Sequence, residues 1–146
     1  MIKIAHIADI HFRGLQRHDE YTQVFEDFFQ KMESINPDLI VVAGDIVHSK
    51  TQGITPELVD RLRWWFQSLA KWKTIVILGN HDGLIHNKSR LDAISPIVAA
   101  LNNKNIIFLK NSGNTEINGI NFSNFSCFDE EGWSKCSLKD DMINIE

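Results

Sequence analysis

The segment Asp38-Leu39-Ile40-Val41-Val42-Ala43-Gly44 is a nearly continuous apolar run rich in β-branched side chains. Such a strand is expected to be buried on both faces, which happens inside a parallel sheet covered by helices. The flanking sequence agrees. A first strand is expected over about Ile2 to Ala8, and then Tyr21, Val24, Phe25, Phe28, Phe29, Met32 and Ile35 recur at steps of three and four, the mark of one wide apolar helix face. Asp19 is placed to cap that helix and Pro37 to close it. Thr55-Pro56 supplies an N-cap and a first-turn proline for a second helix, carrying Leu58, Leu62, Trp65, Phe66 and Leu69 to about Lys71. Thr74 to Leu78 makes a third strand, about Leu91 to Leu101 a third helix with Pro96 as a first-turn residue or a kink, and Asn105 to Leu109 a fourth strand. Beyond Lys110, Asn118-Gly119 between short alternating runs predicts a two-residue hairpin and the start of a second, antiparallel sheet. Residues 129–141 are polar and acidic, and Met142 to Ile145 begins a further strand.

Length and composition bound this α/β layout. With 146 residues, of which 43% are hydrophobic and 23% charged, the chain suits one soluble globular domain. Cys127 and Cys136 match neither a zinc motif nor a disulfide framework, so a reducing, cytoplasmic setting is expected. No charged segment leads into an unbroken apolar stretch at the N-terminus, and nowhere do about 18 apolar residues run together, so neither secretion nor membrane spanning is expected. A net charge of −4 gives no support to nucleic-acid binding through a broad basic surface. All six histidines lie in the first 86 residues.

Three clusters fall at the carboxyl ends of three expected parallel strands: Asp9-Ile10-His11, Gly44-Asp45 and Gly79-Asn80-His81-Asp82. That edge is where open α/β sheets bind ligands, because the βα loops converge there. Asp9 and His11, two apart in extended chain, project to one side and can grip one ion. Oxygen donors mixed with imidazole suit Zn, Mn or Fe. Asp45 has two oxygens with which to bridge two cations, and Asn80 adds a neutral carbonyl oxygen. A two-ion site of this kind activates water for in-line attack on a phosphoester. His81 is placed to donate a proton to the leaving oxygen.

In order and spacing these clusters resemble the first half of the calcineurin-like metallophosphoesterase signature, and the resemblance covers essentially the whole chain. It implies an α/β/β/α two-sheet sandwich, of which this chain carries mostly the N-terminal half. It also implies two divalent ions, manganese first, with zinc, iron and magnesium as alternatives. Asp9 and His11 would hold the first metal, Asp45 would bridge, Asn80 would hold the second, and His81 would be the catalytic histidine. Asp82 would serve as a supporting residue behind the ligands, or simply as an Asx turn.

The phosphatase branch of that family carries an aspartate three residues after the bridging one, where this chain has His48 in Gly-Asp-Ile-Val-His. A histidine there is similar to the SbcD-type repair nucleases and their phage recombination-endonuclease relatives, in which it helps to place the DNA phosphodiester. The opening Lys3-Ile4-Ala5-His6-Ile7-Ala8-Asp9-Ile10-His11 resembles the same branch. The resemblance therefore implies a DNA exonuclease or endonuclease of recombination or repair, host- or phage-encoded. DNA is the expected partner, with an SMC-like ATPase subunit and a homodimer as further ones. The alternatives are a small-molecule phosphodiesterase or phosphatase, and a non-catalytic remnant that binds such an ATPase. Elsewhere, His6 is expected as a hydrogen-bonded core histidine, and His18 and His86 carry no role. Trp64, Trp65 and Trp72 are expected to face the core or a partner, and Lys88 and Arg90 either meet phosphate or are solvated surface.

The family completes its metal sites with three later histidines, and this chain has none after His86. The expectation is therefore a metallophosphoesterase N-terminal portion truncated at its C-terminus, as a fragment, a split gene or a natural truncation. Alone, it is expected to bind metal weakly, since two-ligand sites are poor and juxtaposed carboxylates repel. Sheet edges would be left uncovered.

Overall fold

In the computed structural model, which describes residues 1–48, 53–87 and 89–146, four strands form one sheet in sequence order. They are β1 (Ile4–Ile7), β2 (Leu39–Ala43), β3 (Thr74–Ile77) and β4 (Ile106–Leu109). β1 pairs parallel with β2, and β2 parallel with β3, in the registers Ile4↔Leu39 and Ile40↔Thr74. The apolar run thus becomes an interior strand with Leu39, Ile40 and Val42 fully buried. β1 lies at the edge of that sheet, and His6 on it is exposed. This corrects the expectation of a core histidine: only one flank of β1 is covered by a neighbouring strand.

The crossovers are α1 (His18–Ile35) and α2 (Pro56–Leu69), and α3 (Ser95–Leu101) precedes β4. On α1 the buried positions are Phe25, Phe29 and Met32, whereas Val24 and Ile35 are exposed, so the inward stripe is narrower than the spacing implied. Its N-cap is Arg17, in the left-handed region at φ 62° with no side-chain cap. Asp19 therefore does not cap; it lies inside the first turn beside Glu20, where negative charge faces the positive end of the helix dipole. α2 is capped as expected, with Leu58 N donating to Thr55 Oγ1 at 3.2 Å. α3 begins later than the expected Leu91, because Asp92 Oδ1 accepts from the amides of Ile94 and Ser95 and holds the preceding residues in a turn.

An aromatic cluster forms the core between α1, α2 and the loop after β1. Phe12, Phe25 and Trp65 lie within 5.4–5.5 Å of one another by ring centroid. Phe12 is 1% exposed, and burying a side chain of that size stabilises by about 2–3 kcal/mol, enough to fix the loop that carries its neighbour His11. Trp65 and Trp72 are buried, and Trp64 is half-buried with the Arg61 guanidinium 5.4 Å above its ring.

Met1–Phe108 is one compact unit and Leu109–Glu146 a second. The second holds β5 (Gly113–Ile117), β6 (Ile120–Asn124) and β7 (Ile143–Ile145). β5 and β6 make the expected hairpin, with Asn118 at φ 53° and Gly119 at φ 75°, the two left-handed residues that a tight hairpin turn requires. β7 pairs parallel with β6, so this sheet is mixed and not wholly antiparallel. The chain passes through a 3-10 turn at Glu130–Lys135 before returning, and a crossover of that length delivers a strand in the same direction as β6. Asn121, fully buried, donates to Asn144 Oδ1 and accepts from Asn114, tying the three strands by side-chain amides. Cys127 and Cys136 are half-buried, and Cys136 Sγ donates to Asn124 O. Among the described residues no helix is long and apolar enough to cross a membrane.

Candidate functional site

The loops after β1 and β2 continue to pair beyond the strands. Asp9 N donates to Gly44 O, His11 N to Asp45 O, and Phe12 N to Ile46 O, while His48 N donates back to Phe12 O. This short extension sets Asp9 and His11 beside Asp45. Asp9, His11 and Asp45 all adopt left-handed backbone, at φ 55°, 53° and 52°. For non-glycine residues that conformation costs on the order of 1 kcal/mol each, and such strain concentrates where side chains must be aimed.

The result is a cluster in which one donor atom from each of the three residues lies within 4.8 Å of the others. His11 Nε2 is 3.7 Å from Asp9 Oδ1 and 4.0 Å from Asp45 Oδ2. These separations exceed a hydrogen bond, and they match two ligands flanking one cation at about 2.0–2.2 Å each. His11 Nδ1 is buried without a hydrogen-bond partner, so hydrogen bonds to the protein do not account for this ring's position. Two carboxylates and an imidazole with such spacing fit a divalent transition metal.

β3 delivers the third cluster. A Cβ on Gly44 would lie 2.7 Å from Gly79 Cα, and one on Gly79 would collide with the backbone nitrogen and Oδ1 of Asp45. The two glycines are therefore demanded by the approach of the β2 and β3 ends, and that approach brings Asp45 to the Gly79-Asn80-His81 turn. His81 N donates to Asp45 Oδ1 at 2.9 Å. Asn80, exposed, sits between these anchored residues. His81 Nδ1 lies 2.7 Å from the backbone carbonyl of His48. A carbonyl only accepts, so Nδ1 carries the proton and Nε2 is the atom left to exchange one.

The three imidazoles group together: His81 and His48 lie 4.8 Å and 5.6 Å from His11 by ring centroid. Partial burial, the Arg13 guanidinium, and then His11 and His81 hold the His48 pKa below its usual value, favouring its neutral ring. Asp82 is 1% exposed and bridges two loops, its Oδ1 accepting from Val47 N at 3.0 Å and its Oδ2 from Gly79 N at 2.8 Å. Burial raises its pKa to about 6, with Asp45 adding to the rise and the backbone amides of Val47, Gly79 and Ile46 opposing it. A simple Asx turn would bond only within its own loop; Asp82 instead fastens the β3 turn to the segment between Asp45 and His48.

The structure thus brings Asp9, His11, Asp45, His48, His81 and Asp82 to one edge of the sheet. His86 and Arg90 are exposed, and Lys88 lies outside the described residues. Sequence patterning missed the pinning of the β1 loop. Tyr21 Oη donates to His11 O at 2.6 Å, His18 Nε2 lies 2.8 Å from Arg13 O, and Thr55 Oγ1 donates to Gly14 O at 2.8 Å. No periodicity reports such contacts; the only trace of them is a polar His and Tyr at the start of an apolar helix.

The chain is similar to several known proteins. The uncharacterized protein R555 of Acanthamoeba polyphaga mimivirus is 38% identical over 133 residues, which are 88% of this chain and 10% of that one. The nuclease MPE of Pseudomonas putida aligns at 15% identity and TM-score 0.48, over 82% of this chain and 52% of its own. A second solved structure aligns at 17% identity and TM-score 0.52, covering 82% of this chain and 51% of its own, and shares the fold. The chain therefore spans about half the length of the solved structures and a tenth of the viral relative. The sequence profile of the calcineurin-like phosphoesterases matches residues 2–141, a span that contains the parallel sheet and every donor assembled at its edge, and the chain belongs to that family.

Proposed function

We propose that this chain contributes the Asp9–His11–Asp45 half of a divalent-metal-dependent phosphoesterase acting on nucleic-acid phosphodiesters. The observation that carries the reading is the convergence of those three donors, on strained backbone, beside a histidine of fixed tautomer. Divalent cations held there, manganese first, would supply electrophilic activation of a phosphoryl oxygen and acidify a water. Asp9, His11 and Asp45 would bind the first, and Asp45 with Asn80 would contribute to the second.

The chain's own residues then do the following. Asp45 spans the two sides of the site, one oxygen toward His11 and the other fixed by the His81 amide. In hydrolysis the water oxygen forms a new P–O bond as the opposite ester bond breaks, and the water's proton passes to solvent. Protonated His81 donates from Nε2 to the departing oxygen, held in line by the His48 carbonyl. The diester preference draws on His48, whose neutral ring stands beside His11 and His81 where a phosphatase of this family has a carboxylate. A neutral imidazole there offers an N–H to a phosphodiester oxygen, and a carboxylate has none to offer.

The test is manganese-dependent cleavage by the intact protein of a linear duplex DNA and of bis(4-nitrophenyl) phosphate. Cleavage of DNA that disappears in Asp45→Ala and falls at least about a hundredfold in His81→Gln is the expected result. Hydrolysis of the small diester without any DNA cleavage would overturn the nucleic-acid assignment. DNA cleavage undiminished by Asp45→Ala would overturn the site.

A further inference from the structure

The loop after β1 carries a cation that the site described above does not use. Arg13 follows the buried Phe12, which bridges Val47 in parallel register, so that Arg13 and His48 are the next pair along. Phe12 and Val47 are buried, whereas the next pair, Arg13 and His48, is half-buried, with the His48 ring among the histidines. The guanidinium is near enough to contribute to holding the His48 pKa down.

The loop beneath Arg13 is fixed. The four successive carbonyls of His11, Phe12, Arg13 and Gly14 are engaged by Tyr21 Oη, His48 N, His18 Nε2 and Thr55 Oγ1 respectively. Those partners come from α1, from the segment after β2, and from the cap of α2. The head group itself is left over. Among the described residues no carboxylate lies within 4.0 Å of it, and its hydrogen bond is a long one of 3.5 Å to Gln16 Oε1. By contrast Arg17, Arg63 and Lys71 are all paired with acids. What sets Arg13 apart is the rigid loop beside the donor cluster, on which a guanidinium with no acid partner among the described residues remains available to an anion. Guanidinium matches a phosphate by its fork of donors, and a preorganised loop removes much of the entropy cost of using it.

We infer that Arg13 binds a phosphate flanking the scissile one, so that the substrate must be a polyanion with successive phosphodiesters. The inference rests on the phosphodiesterase reading above and adds the residue that distinguishes a polymer from an isolated ester. A phosphomonoester has no second phosphate to offer Arg13. The bulk acidity of the chain then does not oppose nucleic-acid binding, because the contact is local.

The experiment is equilibrium binding of a fluorescein-labelled phosphorothioate DNA oligonucleotide, whose linkages resist cleavage, to the intact protein in manganese, from about 50 to about 200 mM salt. Removing one phosphate contact lowers the log–log salt slope by about 0.7 to 0.9. The expected result is that slope loss in Arg13→Gln, with affinity about tenfold weaker at the lower salt, and recovery of the slope in Arg13→Lys, which keeps the charge. An unchanged slope in Arg13→Gln, with the wild type binding, overturns the role of Arg13 and leaves the substrate class standing. A wild type that shows no salt-dependent oligonucleotide binding overturns the polyanion substrate itself, and the Arg13 role falls with it.

Discussion

Replacing Asp82 by asparagine keeps the shape of the staple between the two loops and removes its charge. The wild-type carboxyl has a pKa of about 6 against an ordinary 3.8, burial being the main cause. Each tenfold change in proton affinity is worth about 1.4 kcal/mol, so ionising Asp82 within the fold costs about 3 kcal/mol more than ionising it in the unfolded chain. Its stabilising contribution is therefore complete below pH 3.8 and is lost as pH rises through about 6. Between about pH 7 and about pH 5 the wild type regains about 1.3 kcal/mol from this group, and asparagine, which does not titrate, regains none. Asparagine accepts one of the two amides but turns an N–H toward the other, a fixed penalty of about 1–3 kcal/mol at every pH. Urea unfolding in chelator, followed by tryptophan fluorescence, to which the buried Trp65 and Trp72 contribute, measures both chains across this range. The difference in unfolding free energy should move toward the wild type on acidification by about 1 kcal/mol or slightly more. A difference that is flat with pH, or that moves toward the variant, would refute a buried, raised-pKa staple.

Other perturbations act on features equally well defined. Gly79→Ala should weaken manganese binding tenfold or more, read by calorimetric titration, because its Cβ has no place except against Asp45; Gly53→Ala, whose Cβ meets nothing within 4 Å, serves as the neutral control. Thr55→Ala removes the α2 cap and the bond to Gly14 O, and should lower unfolding free energy by about 1–2 kcal/mol in denaturant titration. Leu62→Ala, at a fully buried position, should cost about 2–5 kcal/mol in the same assay, with metal affinity little altered in whatever fraction remains folded.

Much of this was legible in the residues, and where it was not the reason is physical. The interior strand Leu39–Ala43 announces itself because burial on both faces leaves no polar position to obscure the pattern. Thr55-Pro56 and Asn118-Gly119 are similarly explicit, each meeting a backbone demand that few residues satisfy. The start of α1 was harder to place, since Arg17 occupies the cap with no side-chain bond and no sequence signal marks that choice. The exposure of His6 depends on β1 being an edge, a property of strand order that local pattern does not encode. In the site, Asp9, His11, Asp45 and His81 were visible as motifs, but Asp82 acts through a hydrogen bond to Val47, 35 residues away, and His18 and Tyr21 act by turning back onto the loop before their helix, contacts that no periodicity encodes.

The left-handed backbone at Asp9, His11 and Asp45 also bears on how such a chain changes over generations. At Asp9, whose side chain is 75% exposed, and at His11, glycine would relax the folded backbone by on the order of 1 kcal/mol. Folding and ligand capture thus pull these positions in opposite directions. Where ligand capture is under selection, the donors persist against a slope in folding free energy. Where it lapses, drift that preserves the fold has a downhill path, and that path runs first through the donors. A copy of this domain that had lost its chemistry would be recognised by glycine at these positions, with the sheet and aromatic core intact.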